Sequence, residues 1–358
     1  MNVKSSSYVT RLVDSLRNRL PEGEFEPAER FARQFWSRTP EEDLSERRVE
    51  DDAAATIECW RLFRDRDPAE VQINVMNPEH GRDGWQSRCT VVQVAAPDMP
   101  FMVDSVLIAL SHDGLITHHL NNVVFAVDRD AQGRITGTTL ERDHSSRELF
   151  LYAEIDRLDE EDIGALKERL GRTVVELKAI VGDFAAMKEQ LQTLISEIRE
   201  ATLPVPAEET GEAITFLEWL AADNFFFIGY REFAYVDDTM NQTGQSLGAL
   251  RVRSRASERR LSDQPKNTLA FLMSASLLSF SKSGTRSSVH RYAYPDYIGI
   301  KRFDSDGRVV GECGFLGLYT SRVYLEDPNN IPVVRRKVAN VIDRSNLDPS
   351  GFDGKVLA

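Results

Sequence analysis

Residues 88–128 read RCTVVQVAAPDMPFMVDSVLIALSHDGLITHHLNNVVFAVD, and this stretch decides the fold. Cys89-Thr90-Val91-Val92-Gln93-Val94 is β-branched and predicts a strand. It closes at Ala96-Pro97-Asp98-Met99-Pro100, where two prolines punctuate a turn. Val103, Val106, Leu107 and Leu110 then fall at i, i+3, i+4 and i+7, one apolar face of a helix, and His112-Asp113-Gly114 supplies its glycine stop. A second strand begins at Leu115 and runs through Val123-Val124-Phe125-Ala126-Val127. A polar hairpin loop over 128–134 follows, with a restart at Ile135. Leu149 to Ile155 predicts a further strand, and a long helix starts near Asp159. The order β-α-β-β-(β)-α is close to the split ferredoxin-like unit and suits a small ligand-sensing unit better than a catalytic centre.

Outward from that core, residues 1–67 predict a helical segment. Thr39-Pro40-Glu41-Glu42 reads as an N-cap, a first-turn proline and a capping box. Phe31, Phe35 and Trp36 before it, and Ile57, Trp60, Leu62 and Phe63 after it, read as core. The first α/β unit spans 68–158. Over 159–203 apolar residues recur in steps of three or four from Ile163 to Ile198, a helical connector that Gly182-Asp183 breaks in two. The preferred reading packs its first helix on the sheet and leaves the second as a connector; an intersubunit coiled coil is the alternative. Pro204-Val205-Pro206-Ala207 is a linker. Residues 204–330 predict a second, mostly antiparallel α+β domain. It has a helix over 215–223, a buried strand over 225–230, and strands over 247–252, 277–281, 296–303 and 309–318. Asp304-Ser305-Asp306-Gly307 turns between the last two. A helix over 331–346 is followed by a tail to Ala358 with no cap or completed element, so 331–358 reads as a helix and a truncated tail.

The length of 358 residues points to roughly two to three domains. A hydrophobic content of 41% and a charged content of 28% are those of a globular chain. The formal charge of -13 repels phosphate backbones, so nucleic acid is not an expected partner. Arg251, Arg253, Arg255, Arg259 and Arg260 form one basic run, read as a solvated loop. Cys59, Cys89 and Cys313 are few and scattered, which fits a reducing compartment. With neither a signal-peptide pattern nor eighteen unbroken apolar residues, a cytoplasmic protein without a membrane partner is expected. The sequon Asn241-Gln242-Thr243 then carries no weight.

No GxGxxG turn is present: none of the 21 glycines has another two positions away. Gly311-Glu312-Cys313-Gly314-Phe315-Leu316-Gly317 has the wrong spacing and sits in a strand pattern. Walker, GxSxG and HExxH patterns are absent too, so neither catalytic nor cofactor-binding residues are assigned. His118-His119 point to opposite faces of a strand and cannot share one ion without a bulge, so no metal is expected. The turn into the helix offers one chemistry beyond packing. Its unpaired N–H groups suit a ligand carboxylate, and Asp98 or Asp104 its ammonium group. Asp98, Met99, Pro100, Phe101, Asp104 and Ser105, with Asn121 and Asn122 on the next strand, form the candidate amino-acid effector site. Ordinary turn and edge-strand roles are the alternative.

Five segments carry a family resemblance: 31–35 (FARQF), 100–106 (PFMVDSV), 216–225 (FLEWLAADNF), 296–303 (DYIGIKRF) and 314–321 (GFLGLYTS). Residues 331–338 (IPVVRRKV) and 347–355 extend it. In this order they resemble the N-terminal region of the large bacterial NAD-dependent glutamate dehydrogenases. That resemblance implies an ACT-like (ferredoxin-like βαββαβ) domain followed by a second α+β domain, PAS-like or ACT-like. It also implies a catalytic region further along the same, much longer chain, with NAD as cofactor of the whole enzyme and a cytoplasmic homo-oligomer. The whole enzyme would turn L-glutamate, NAD and water into 2-oxoglutarate, ammonia and NADH. None of its catalytic residues is carried by this chain. The glycine usual in the ACT turn is replaced by Met99-Pro100-Phe101, which leaves a purely structural oligomerisation scaffold open beside amino-acid sensing.

Overall fold

The computed structural model describes residues 7–112, 114–141, 146–253 and 259–345. Asp113 of the helix stop, Arg255 of the basic run and the tail beyond residue 345 lie outside them. Two compact units divide the chain: Met1–Val175 with Ser288–Arg291, and Glu176–Ser287 with Tyr292–Ala358.

The first unit begins with helices α1 (Ser7–Arg17), α2 (Glu22–Phe35), α3 (Glu41–Ser45) and α4 (Val49–Asp65). Pro40 caps α3 without a side-chain hydrogen bond, so the capping box expected from Thr39 does not form. There follow β1 (Gln72–Met76), α5 (His80–Asp83), β2 (Thr90–Pro97), α6 (Met102–Leu110), β3 (Thr117–Arg129), β4 (Ile135–Thr139), β5 (Arg147–Ile155) and α7 (Glu160–Gly182). The strands form one antiparallel sheet in the order β1-β2-β5-β3-β4. The strand, turn, helix and strand of 88–128 are therefore β2, α6 and β3 as the sequence predicts. The sequence reading has no strand at 72–76. In a βαββαβ unit the place beside the first strand belongs to a strand following the second helix. Here β1, from before the first helix, fills it.

The sheet is covered on both faces, which is why β2 and β5 are buried almost throughout. Val91, Ala95, Val123, Phe125, Phe150 and Tyr152 face the layer made by α1, α2 and α4 and share its core. Phe31 is the hub, with five aromatic rings at centroid distances of 5.2 to 5.8 Å. Val92, Val94, Leu149, Leu151 and Ala153 alternate onto the other face and are equally buried. The buried flanks of α6 and α7 are left to cover them, and Arg169 of α7 donates to the Ala109 carbonyl of α6 at 3.2 Å.

Charges lock the helical layer to the sheet. Arg47 bridges Asp52 (2.7 Å) and Glu154 (2.6 Å), while the Tyr8 and Tyr152 hydroxyls donate to Asp52 (2.5 Å) and Glu154 (2.8 Å). Burial works against the Glu154 carboxylate, but Arg47 holds its pKa below the ordinary value. A second buried set joins Arg66 and Arg129 to Glu148. Removing one partner of such a set would leave an uncompensated buried charge, which is strongly destabilising.

The second unit holds α8 (Phe184–Glu200), α9 (Ala207–Trp219), β6 (Phe225–Val236), β7 (Thr239–Gly248), α10 (Ala249–Val252), β8 (Arg259–Arg260), α11 (Lys266–Leu272), β9 (Leu278–Lys282), β10 (Asp296–Phe303), β11 (Val309–Tyr319) and α12 (Val334–Ser345). Its sheet is antiparallel in the order β8-β7-β6-β11-β10-β9. Met187, Leu191, Leu194, Ile195 and Ile198 of α8 join Phe216 and Leu217 of α9 over Phe227, Ile298, Ile300 and Phe315. Helix α8 is therefore a packing layer of this unit, not a connector. Gly182 ends α7 at the expected break. The strand expected over 247–252 is instead the end of β7 followed by the short helix α10. The change falls at Gly248, whose φ of +60° and backbone contact with Ile228 exclude a side chain.

Candidate functional site

The turn expected to bind an effector lies between β2 and α6. Phe101 caps α6 in the left-handed region, φ 65°, where a glycine would be unstrained. Ser105, fully buried, donates its hydroxyl back to the Phe101 carbonyl at 2.6 Å and so braces that conformation. Asp98 leaves the sheet paired with Arg147: its N–H donates to the Arg147 carbonyl (2.9 Å) and its carboxylate lies 3.2 Å from the guanidinium. Asp104 is exposed in the first turn of α6, where a carboxylate suits the positive helix end.

Ser288–Arg291, which belongs to this same unit, lies against the turn. The Phe101 and His290 rings are 4.4 Å apart, and the His290 N–H donates to Ser105 Oγ at 3.4 Å. Burial, and then the Arg291 charge, lower the His290 pKa against the pull of Asp104.

Asn121 and Asn122 are not brought to this turn. Pro97 pairs with Glu148 and Asn121 with Tyr152, positions that at about 3.3 Å per residue are roughly 13 Å apart along β5. The Asn121 amide donates to the Phe35 carbonyl of α2 at 2.7 Å, a buried bond between sheet and helical layer. Asn122 alternates to the other side of the strand, and both line a recess of about 240 Å³ with Thr39, Asp43, His118 and His119. His118 is exposed and 2.7 Å from Asp156. His119 turns inward onto Trp36, with ring centroids 6.0 Å apart. The β3–β5 register shifts between Thr117 and His119, so the two histidines sit at an irregularity and not in the regular strand that the sequence implies.

A feature the sequence reading did not single out is a cleft of about 690 Å³ between α4, β1 and α5. Glu58 of α4 lies in it, accepting from the indole N–H of buried Trp85 at 2.9 Å and from the Asn74 amide at 3.5 Å. Burial raises its pKa, and Asp83 adds to that against the Trp85 and Gln93 hydrogen bonds and Arg82. Arg19, Arg61 and Lys167 also line the cleft. One signal was available: Glu58 is the only charged residue in the run 53–60 of α4.

An antiparallel sheet carrying α6 and α7 on one face, entered through a strand-to-helix turn, defines the first unit as an α+β domain of the ACT type. Residues 31–170 match the family described as "Glutamate dehydrogenase, ACT1 domain", and residues 331–358 match "Glutamate dehydrogenase, helical motif 1". The chain is 36% identical to the NAD-specific glutamate dehydrogenase of Halomonas elongata over 97% of its own length and 22% of that protein's. It is 37% identical to that of Pseudomonas aeruginosa over 92% and 21%, and 26% identical to that of Mycobacterium tuberculosis over 72% and 16%. The chain thus corresponds to the N-terminal region of the large NAD-specific glutamate dehydrogenases. It spans about a fifth of the length of the curated relatives it matches.

Proposed function

We propose that this chain is the non-catalytic regulatory and assembly region of an NAD-dependent glutamate dehydrogenase whose chemistry lies in a further region of a longer polypeptide. The observation that carries the reading is the ACT1 match over 31–170, together with the small share of the relatives that the chain spans. The whole enzyme would oxidise L-glutamate to 2-oxoglutarate and ammonia, bind NAD in its downstream catalytic region, and work as a cytoplasmic homo-oligomer. No described helix is long and apolar enough to cross a membrane. In this reading an amino-acid effector acts at the turn formed by Asp98, Met99, Pro100, Phe101, Asp104 and Ser105. Asn121 and Asn122 take a separate, mostly structural part. The second unit serves as a PAS-like or ACT-like partner domain.

A second reading, a scaffold for assembly without a ligand at the turn, is favoured by one observation: Ser288–Arg291 already lies against Phe101 and Ser105. Two assays test these. The purified 358-residue chain should form no NADH from glutamate and NAD, and turnover tracking the purified chain would overturn the regulatory proposal. In the longer enzyme, Asp98→Ala and Asp104→Ala should alter the response of NADH formation to added amino acids and leave the KM for NAD unchanged. An unaltered response in both variants assigns the turn to the scaffold.

A further inference from the structure

We propose that the first unit binds a zwitterionic α-amino acid in the cleft between α4, β1 and α5, with Glu58 receiving its ammonium group and Arg19 and Lys167 its carboxylate. This site is separate from the β2–α6 turn. Glu58 is a half-buried carboxylate whose hydrogen bonds come from neutral donors, the Trp85 indole and the Asn74 amide. Among the described residues no cation lies within the 4.0 Å of an ion pair with it. Such a group is costly to keep ionised unless a positive charge arrives.

The rim supplies the complementary half. Arg19 and Lys167 line the same cleft and form no ion pair with any described residue. Arg61 is already engaged, 3.9 Å from Glu24. Glu58 inside, and Arg19 and Lys167 lining the same cleft without an ion pair to any described residue, match a ligand that bears both an ammonium and a carboxylate. Trp85, 2% exposed, and the Gln93 amide, 3.0 Å from the Asn74 amide group, hold the acceptor side rigid. A pre-set acceptor of this kind reduces the ordering cost of binding. The cleft volume leaves room for a side chain, so these groups specify the charged ends of the ligand and not its side chain.

The test is calorimetric titration of the 358-residue chain with each of the twenty L-amino acids, then with the 2-hydroxy acid matching any that binds. The expected result is saturable binding by at least one amino acid, weakened about tenfold or more when hydroxyl replaces ammonium, as the loss of a charge-assisted hydrogen bond implies. Glu58→Gln should weaken it by a similar factor. Lys167→Ala, an exposed substitution that leaves the core intact, should weaken it severalfold, and Glu168→Ala, exposed on the same helix but outside the cleft, should leave it unchanged. Silence across the panel, equal binding of the hydroxy acid, or binding indifferent to both Glu58→Gln and Lys167→Ala overturns the proposal. Binding lost in Asp104→Ala alone also overturns it and moves the ligand to the turn, leaving the regulatory reading in place. Conversely, a longer enzyme whose rate ignores a ligand bound through Glu58 defeats the regulatory reading and not this site.

Discussion

His119 illustrates how much of a residue's chemistry comes from neighbours distant in sequence. Its ring lies 6.0 Å from Trp36 and 6.2 Å from Tyr152, with Nε2 buried and without a hydrogen-bond partner in the structure. Burial, and then the positive charge of Arg47, lower its pKa; Glu154, Asp52 and Asp43 pull the other way. The unfolded chain, with a histidine pKa of about 6.5, therefore takes up the proton first. The stability His119 contributes is present above that value and is lost as pH falls through the lower folded one. Urea unfolding should show a midpoint lower at pH 5.5 than at pH 7.5, and His119→Phe should shrink that difference. An unchanged difference in the variant would mean other groups carry the acid sensitivity. The strand that carries His118 and His119 was legible in the sequence, though not the register shift at that point. The Trp36 and Arg47 surroundings were not, because they come from other elements. Glu58 was half legible: its isolation as the one charge in the run 53–60 was visible, but its cleft was not.

At the scale of the element, the sequence was most readable where one physical signal dominated. The β-branched run before Pro97 and Pro100 gave β2, and the i, i+3, i+4, i+7 set gave α6. Strand β7 was missed because Thr239 to Gln245 carries no apolar alternation and is mostly exposed. It is a strand because it pairs with β6 from Val236↔Thr239 to Gly229↔Gly248, which is a tertiary fact. Helix α11 is a similar case. It has no buried residue, so its own sequence does little to anchor it. Lys301 of β10, 3% exposed, reaches it instead, donating to the Phe271 carbonyl (2.7 Å), the Ser274 carbonyl (2.8 Å) and the Ser274 hydroxyl (2.6 Å). Burial lowers the Lys301 pKa, with Glu312 opposing. Lys301→Met keeps the stem and removes all three bonds, at roughly 1–3 kcal/mol. Amide exchange should therefore quicken through α11 while β10, paired on both sides, stays protected. Uniform loss of protection in both elements would show that Lys301 supports the sheet rather than the helix.

For the whole molecule, the sequence placed the division at the prolines near 204, whereas the structure places it inside a helix. Pro204-Val205-Pro206 joins α8 to α9, both of which pack in the second core. The first core is centred on Phe31 among α2, α4, β3 and β5, and the second on Phe315 with Phe227 and Tyr230 at 5.6 and 4.8 Å. Helix α7 is continuous from Glu160 to Gly182 across the boundary at Val175 and Glu176, so no loop marks it. Proline and glycine signal a break in local structure. They do not signal which side of a sheet a helix will cover, and this is why the linker reading misplaced α8. Two cores of separate composition predict two calorimetric transitions. Phe31→Ala removes a ring with five aromatic neighbours and should cost about 3–5 kcal/mol. In a unit of this size that is on the order of 10 °C in Tm. The shift should fall on one transition only, and Phe315→Ala should lower the other. If both substitutions lower a single shared transition by the same amount, α7 couples the two units into one cooperative body.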